Sequence, residues 1–126
     1  MEKTLLISLG AVLGANARYW VGDWAVRRWG AAFPYGTLLI NLAGSFVLGL
    51  FVAMLSQRFL IGPRWQLVIA IGFMGSFTTF STYTYDSINL ILGGQWGAGF
   101  FNLLGSALLG LLAALLGIAV GRLLLV

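Results

Sequence analysis

Long apolar runs, interrupted at a few charged, proline or aromatic positions, dominate the chain. A helix needs ~20 mostly apolar residues to cross ~30 Å of hydrocarbon. Four runs reach that length: about Thr4 to Trp24, Tyr35 to Ser56, Trp65 to about Leu92, and Trp96 to Leu125. Arg18 interrupts the first, Pro34 opens the second, Gln57 and Arg58 close it, and only Gly93-Gly94 separates the third from the fourth. Proline suits a helix start, where its missing N–H is not needed. Trp20, Trp24, Trp29, Tyr35, Trp65 and Trp96 sit near the expected ends, where amphipathic rings settle at headgroup level. The pattern predicts an all-α membrane protein, with residues 1–126 forming one domain of four spans at about 4–24, 35–56, 65–92 and 96–125.

Composition sharpens this picture. Of 126 residues, 60% are hydrophobic and 8% charged, whereas a soluble domain carries about a quarter charged residues. Such a chain belongs in a bilayer. It has no Cys and no His, which removes thiolate and histidine metal sites, Cys or His nucleophiles and any histidine-centred triad, so an enzyme is not expected. The net charge of +4 does not point to nucleic acid, because the basic residues stand singly or as the Arg27-Arg28 pair and never form a patch with interleaved aromatics. They read as membrane flanks. The run opening at Leu5 continues past the length of a secretory h-region, so no cleavable signal is expected.

With four spans both termini fall on one side. Lys3, Arg58, Arg64 and Arg122 then lie on the terminal side, and Arg27 and Arg28 on the other. Four against two is a weak orientation signal; taken alone it slightly favours a single orientation over two. Gly10 with Gly14, Gly93 with Gly97, and Gly117 with Gly121 are spaced four apart, and Ser45 with Gly49 and Ser106 with Gly110 extend the small-xxx-small pattern by which helices pack closely in lipid. That many close-packing faces predict an oligomer. The stretch opening at Asn41 matches the one opening at Asn102 at six of nine positions, and in a chain this rich in Leu and Gly chance accounts for it better than duplication.

The third run departs from the others. Residues 72–86 hold two glycines, then seven hydroxylated side chains from Ser76 to Thr84, then Asp86. As one continuous helix the run would rise about 42 Å, more than the hydrocarbon core requires. One reading is a broken helix, which membranes tolerate only where the open backbone is buried in protein or lines a water or ion pathway. The other is an intact, bent helix whose Ser and Thr bond back to the preceding turn. Coincident glycines and hydroxyls at the expected midplane favour the break. Phe77, Phe80 and Tyr83 recur on one side of this helix; such stripes usually pack, yet ring edges are electropositive and could hold a small anion. Asn41 brings a carboxamide that either bonds helix to helix or donates to cargo. Two readings of Arg18 stand level: pairing or snorkelling, with Asp23 as a partner if the chain bends, or an electropositive vestibule. Asp86 reads as a structural acceptor.

The segment from Gly72 to Tyr83, with Gly14 to Arg18 upstream and Pro34 to Asn41 between, resembles the Fluc/CrcB family of bacterial fluoride channels, and the likeness covers nearly the whole chain. The resemblance implies passive export of toxic fluoride across the bacterial inner membrane by an antiparallel, dual-topology homodimer with two pores. It also implies a structural sodium ion at the dimer axis, held by the backbone carbonyls of Gly75 and Thr78. By position, the family's pore asparagine maps to Asn41, the first aromatic of its paired-phenylalanine box to Phe80, its vestibule arginine to Arg18 and a hydroxyl of its fourth-helix polar track to Ser106. Tyr83 stands where the family has a second phenylalanine, and Gly110 and Ala114 stand where relatives continue the polar track. A Tyr83 hydroxyl facing the passage would slow conduction, so Tyr83→Phe is expected to conduct faster, unless the hydroxyl turns toward Asp86. The rival readings are a four-span drug–proton antiporter, which needs an acid in the first span, and a structural membrane subunit, which needs no broken helix.

Overall fold

A computed structural model describes residues 1–56 and 62–124, and among them every regular element is helical. Helix α1 (Glu2–Trp29) runs past the expected end at Trp24. Asp23 and Arg27, one turn apart, pair at 2.9 Å, and the last turn carries Arg27 and Arg28, whose charge suits the negative end of the helix dipole. Gly30, at φ 79°, ends the helix. Asp23 therefore belongs to Arg27, and the expected alternative of an Arg18–Asp23 pair is not met. Helix α2 (Tyr35–Ser56) starts where Pro34 predicted, with the Pro34 carbonyl accepting from the Leu38 N–H at 3.1 Å.

The third run forms α3 (63–77) and α4 (Phe80–Leu92), and the fourth forms α5 (Trp96–Leu123). Gln66–Met74 in α3 and Phe101–Gly105 in α5 are wound as wider π-helical turns. The stretches Tyr35–Leu55, Pro63–Leu92 and Trp96–Leu123 are long and apolar enough to cross a membrane. At 28 residues α1 has the length, with Asn16, Arg18 and Asp23 diluting its apolarity. Arg58, counted above with the terminal-side charges, and Leu125, the expected end of the fourth span, lie outside the described residues.

The helices associate as two close pairs, α1 with α3 and α2 with α5. Lipid gives no net drive to bury oil against oil, so contact depends on close approach of backbones. Glycine provides it in both pairs: a Cβ at Gly14 would overlap the Phe73 carbonyl oxygen, and one at Gly117 would overlap that of Phe46. A salt bridge of 2.7 Å between Arg64 and Glu2 fastens the start of α3 to the start of α1, placing both on the terminal side. At the opposite end, Phe33 packs against Tyr35 at 4.9 Å and Phe101 at 5.9 Å, joining the α1–α2 turn to α5.

Between α3 and α4 the helix is broken, not bent. Thr78 (ψ 156°) and Thr79 (φ −148°, ψ 118°) are extended, and helical geometry resumes at Phe80. The break lies at Thr78–Thr79, at the end of the Gly75–Thr78 stretch whose carbonyls the family likeness implies as cation ligands; Gly75–Phe77 is still helical. Back-bonding hydroxyls, the signature of the alternative reading, do occur on both flanks: Thr78 donates to the Met74 carbonyl at 2.9 Å and Ser87 to that of Tyr83 at 2.8 Å. They accompany the break without replacing it.

Candidate functional site

Asn41 holds the break open. Its Nδ2 donates to the Thr79 carbonyl at 2.9 Å, and its Oδ1 accepts from the Thr79 N–H at 2.8 Å. Thr79 thus finds in α2 partners for both its carbonyl and its N–H, which removes the cost of leaving those two groups unpaired at membrane depth. The consequence falls on the carbonyls of the turn before the break. In an unbroken helix the Thr79 N–H would serve Gly75 O, and the Thr82 N–H would serve Thr78 O. Here the first goes to Asn41 and the second to Thr79 Oγ1, at 3.2 Å, as a helix N-cap. The N–H groups of Phe80 and Ser81, at the first turn of the new helix, likewise no longer serve Ser76 and Phe77, so the break releases the carbonyls of Gly75, Ser76, Phe77 and Thr78, among them the two that the family likeness implies as cation ligands.

Beside the break lies a cavity of about 550 Å³ whose lining includes Asn41, Thr78, Thr79, Phe80, Tyr83 and Ser106, with Ser45, Leu48 and Gly110 completing the walls from α2 and α5. All four residues expected on an anion path, Asn41, Phe80, Tyr83 and Ser106, therefore converge on one space from α2, α4 and α5. The Phe80 and Tyr83 rings sit 5.8 Å apart, tilted by 48°. Phe80 is 78% exposed within the single chain. Arg18 and Gly75 do not line this cavity; Arg18 is half-buried on α1 and forms no ion pair among the described residues. Ser45 was read in the sequence only as a small packing residue, although its position one turn after Asn41 on the same face of α2 was a signal for it.

The expected roles of Tyr83 and Ser106 change. The Tyr83 hydroxyl does not face the passage or Asp86; it donates to the Leu103 carbonyl, in the π-helical turn of α5. Asp86 accepts from Thr37 at 2.8 Å, a structural hydrogen bond between α2 and α4 of the kind expected for it. Ser106 lines the cavity, but its hydrogen goes to Asn102 Oδ1 at 3.1 Å, so it offers no free donor there. Asn102 is fully buried and joins α5 to α4, donating to Ser87 Oγ at 2.9 Å and toward the Tyr83 carbonyl at 3.5 Å. A carbonyl can only accept, which fixes the amide orientation and leaves Oδ1 for Ser106.

Fold and site together define a polytopic helical membrane protein with a polar cavity beside a broken span. A family model described as "CrcB-like protein, Camphor Resistance (CrcB)" matches residues 5–118. The chain is 42% identical over 122 residues to the fluoride-specific ion channel FluC of Chloroflexus aurantiacus, covering 97% of each chain. It is 48% identical over 117 residues to that of Koribacter versatilis, covering 93% of this chain and 92% of the relative. The protein belongs to the CrcB family.

Proposed function

We propose that the chain is a passive, fluoride-selective ion channel, not an enzyme, and that the cavity beside the break is part of its ion path. Convergence of Asn41, Phe80, Tyr83 and Ser106 on that cavity is the observation that carries the reading, and the fluoride-specific relatives over nearly the full length support it. Fluoride holds its water tightly, so a path must replace water with hydrogen-bond donors and with the electropositive edges of aromatic rings. Asn41 supplies a donor, and Phe80 and Tyr83 supply edges. A proton-coupled antiporter fits less well because each of the three acids is already engaged: Glu2 with Arg64, Asp23 with Arg27 and Asp86 with Thr37.

The single four-span unit works as an antiparallel homodimer of dual topology with two pores in the bacterial inner membrane. Gly75, Phe80, Ser81 and Thr82 are all exposed on one chain at the depth of the break. Hydrocarbon cannot satisfy a released carbonyl and paired hydroxyls, and a second copy related by an axis through the break covers them. The weak charge bias permits the opposed orientation. Gly75 and Thr78 carbonyls from both copies then supply four hard oxygens suited to a structural sodium ion. That ion would neutralise the carbonyl dipoles at the axis and take no part in conduction. Arg18 raises the local potential for anions at the mouth of the path.

Purified protein in liposomes, monitored with a fluoride electrode, tests the function: fluoride should leave when a cation ionophore relieves the membrane potential, while chloride stays. Chloride release at the fluoride rate, or no release of either, contradicts the proposal. Adding two or three Lys to the terminal side should abolish function by removing one orientation; a C-terminal tag protected from outside reagents in every molecule of the parent rules out dual topology. Replacing sodium exhaustively by a large organic cation should weaken the dimer, and unchanged dimer and flux would rule out the structural ion.

A further inference from the structure

The cavity is lined by five hydroxyl side chains, and four of them have their hydrogen bonded inside the chain. Thr78 donates to Met74 O, Thr79 to Thr82 Oγ1, Tyr83 to Leu103 O and Ser106 to Asn102 Oδ1. A hydroxyl has a single hydrogen, so these present lone pairs, not donors. The fifth is Ser45. It is half-buried on the cavity wall and makes no hydrogen bond among the described residues. Only one Asn41 N–H is bonded to Thr79, and its second N–H is also uncommitted among the described residues. Asn41 and Ser45, at i and i+4, stand on one face of α2 with Cβ atoms ~5–6 Å apart, a spacing at which two donors can reach one small anion. Across from Ser45 the α5 wall is bare: a Cβ built on Gly110 would meet only Ser45 Oγ, at 3.7 Å.

We infer that Ser45 is a fluoride-binding donor of the channel, passing the anion to and from Asn41 along α2 in place of a hydroxyl on the α5 wall at Gly110. This rests on the channel reading above. Removing a hydrogen bond to a charged partner is a larger loss than removing a neutral one.

The test is fluoride-electrode efflux from proteoliposomes of the parent chain, Ser45→Ala, Ser45→Thr and the double variant Ser45→Ala with Gly110→Ser. Ser45→Ala should slow fluoride at least about tenfold, while Ser45→Thr, which keeps the hydroxyl, should stay close to the parent. The double variant should recover most of the lost rate, because ordinary contact distance at Gly110 admits a serine whose hydroxyl enters the same space from the other wall. Packing alone cannot produce recovery by a hydroxyl from the opposite helix. Parent flux with an undiminished Ser45→Ala rate overturns this inference alone, as does a loss that Gly110→Ser does not repair. A parent chain that releases no fluoride overturns the channel reading and the inference with it.

Discussion

Asn41 and Asn102 open the two matching stretches of the chain, and both direct their carboxamides at the third span. Their hydrogen bonding differs. Asn102 has no exposed surface, and its oxygen and amino group are taken up by Ser106, Ser87 and Tyr83. Asn41 is half-buried on the cavity wall, grips Thr79 with its oxygen and one hydrogen, and keeps the second hydrogen unbonded among the described residues. The same side chain is thus scaffold where all its bonding closes within the chain, and available to an ion where one donor is left over. By that criterion Ser106 and Tyr83 shape the cavity, and Ser45 stands with Asn41.

Substitutions can break the contrast. Asn41→Leu should have the largest effect, since it strands both the N–H and the carbonyl of Thr79 and deletes the donor. Flux should vanish, and chemical denaturation should show a loss of roughly 2–4 kcal/mol. Retained fluoride release would show that the break needs no support from α2. Asn102→Ala should cost about 3 kcal/mol, because Ser87 and Ser106 lose partners inside a sealed network. Flux per folded channel should remain within a few-fold of the parent, and complete loss of conduction with undiminished stability would reverse the roles assigned to the two asparagines. Tyr83→Phe should do least: about 1 kcal/mol for the hydrogen bond to Leu103, with efflux within about twofold. The faster flux expected for a hydroxyl in the passage would mean that the phenol leaves Leu103 when fluoride enters.

Features set by local pattern were readable from the chain. Run length and flanking Trp and Pro34 placed the helices, and the extension of α1 beyond Trp24 was available in the i, i+4 spacing of Asp23 and Arg27. The cavity residues came from the family likeness and the hydroxyl-rich third span. Features set at a distance were not readable. The break lies at Thr78–Thr79, where Asn41, 38 residues earlier, bonds Thr79; glycines and hydroxyls together marked only the neighbourhood. The fate of the Tyr83 hydroxyl depended on a carbonyl in a π-helical turn of α5, and that of the Ser106 hydrogen on how Asn102 is oriented. Ser45 was hidden by its size, because a serine at small-xxx-small spacing looks like packing until its neighbours' hydrogens are counted.

Asn41→Asp tests the central claim most directly. The carboxylate keeps an acceptor for the Thr79 N–H, so the clamp on the break is half preserved, but it donates nothing and sets negative charge beside the cavity. Fluoride-electrode traces from proteoliposomes holding equal amounts of folded Asn41→Asp and parent protein should show release from the parent and, from the variant, a rate lower by at least about a hundredfold. Asn41→Asp vesicles that empty fluoride at the parent rate would contradict the account, for Asn41 would then be scaffold as Asn102 is and the ion path would lie elsewhere.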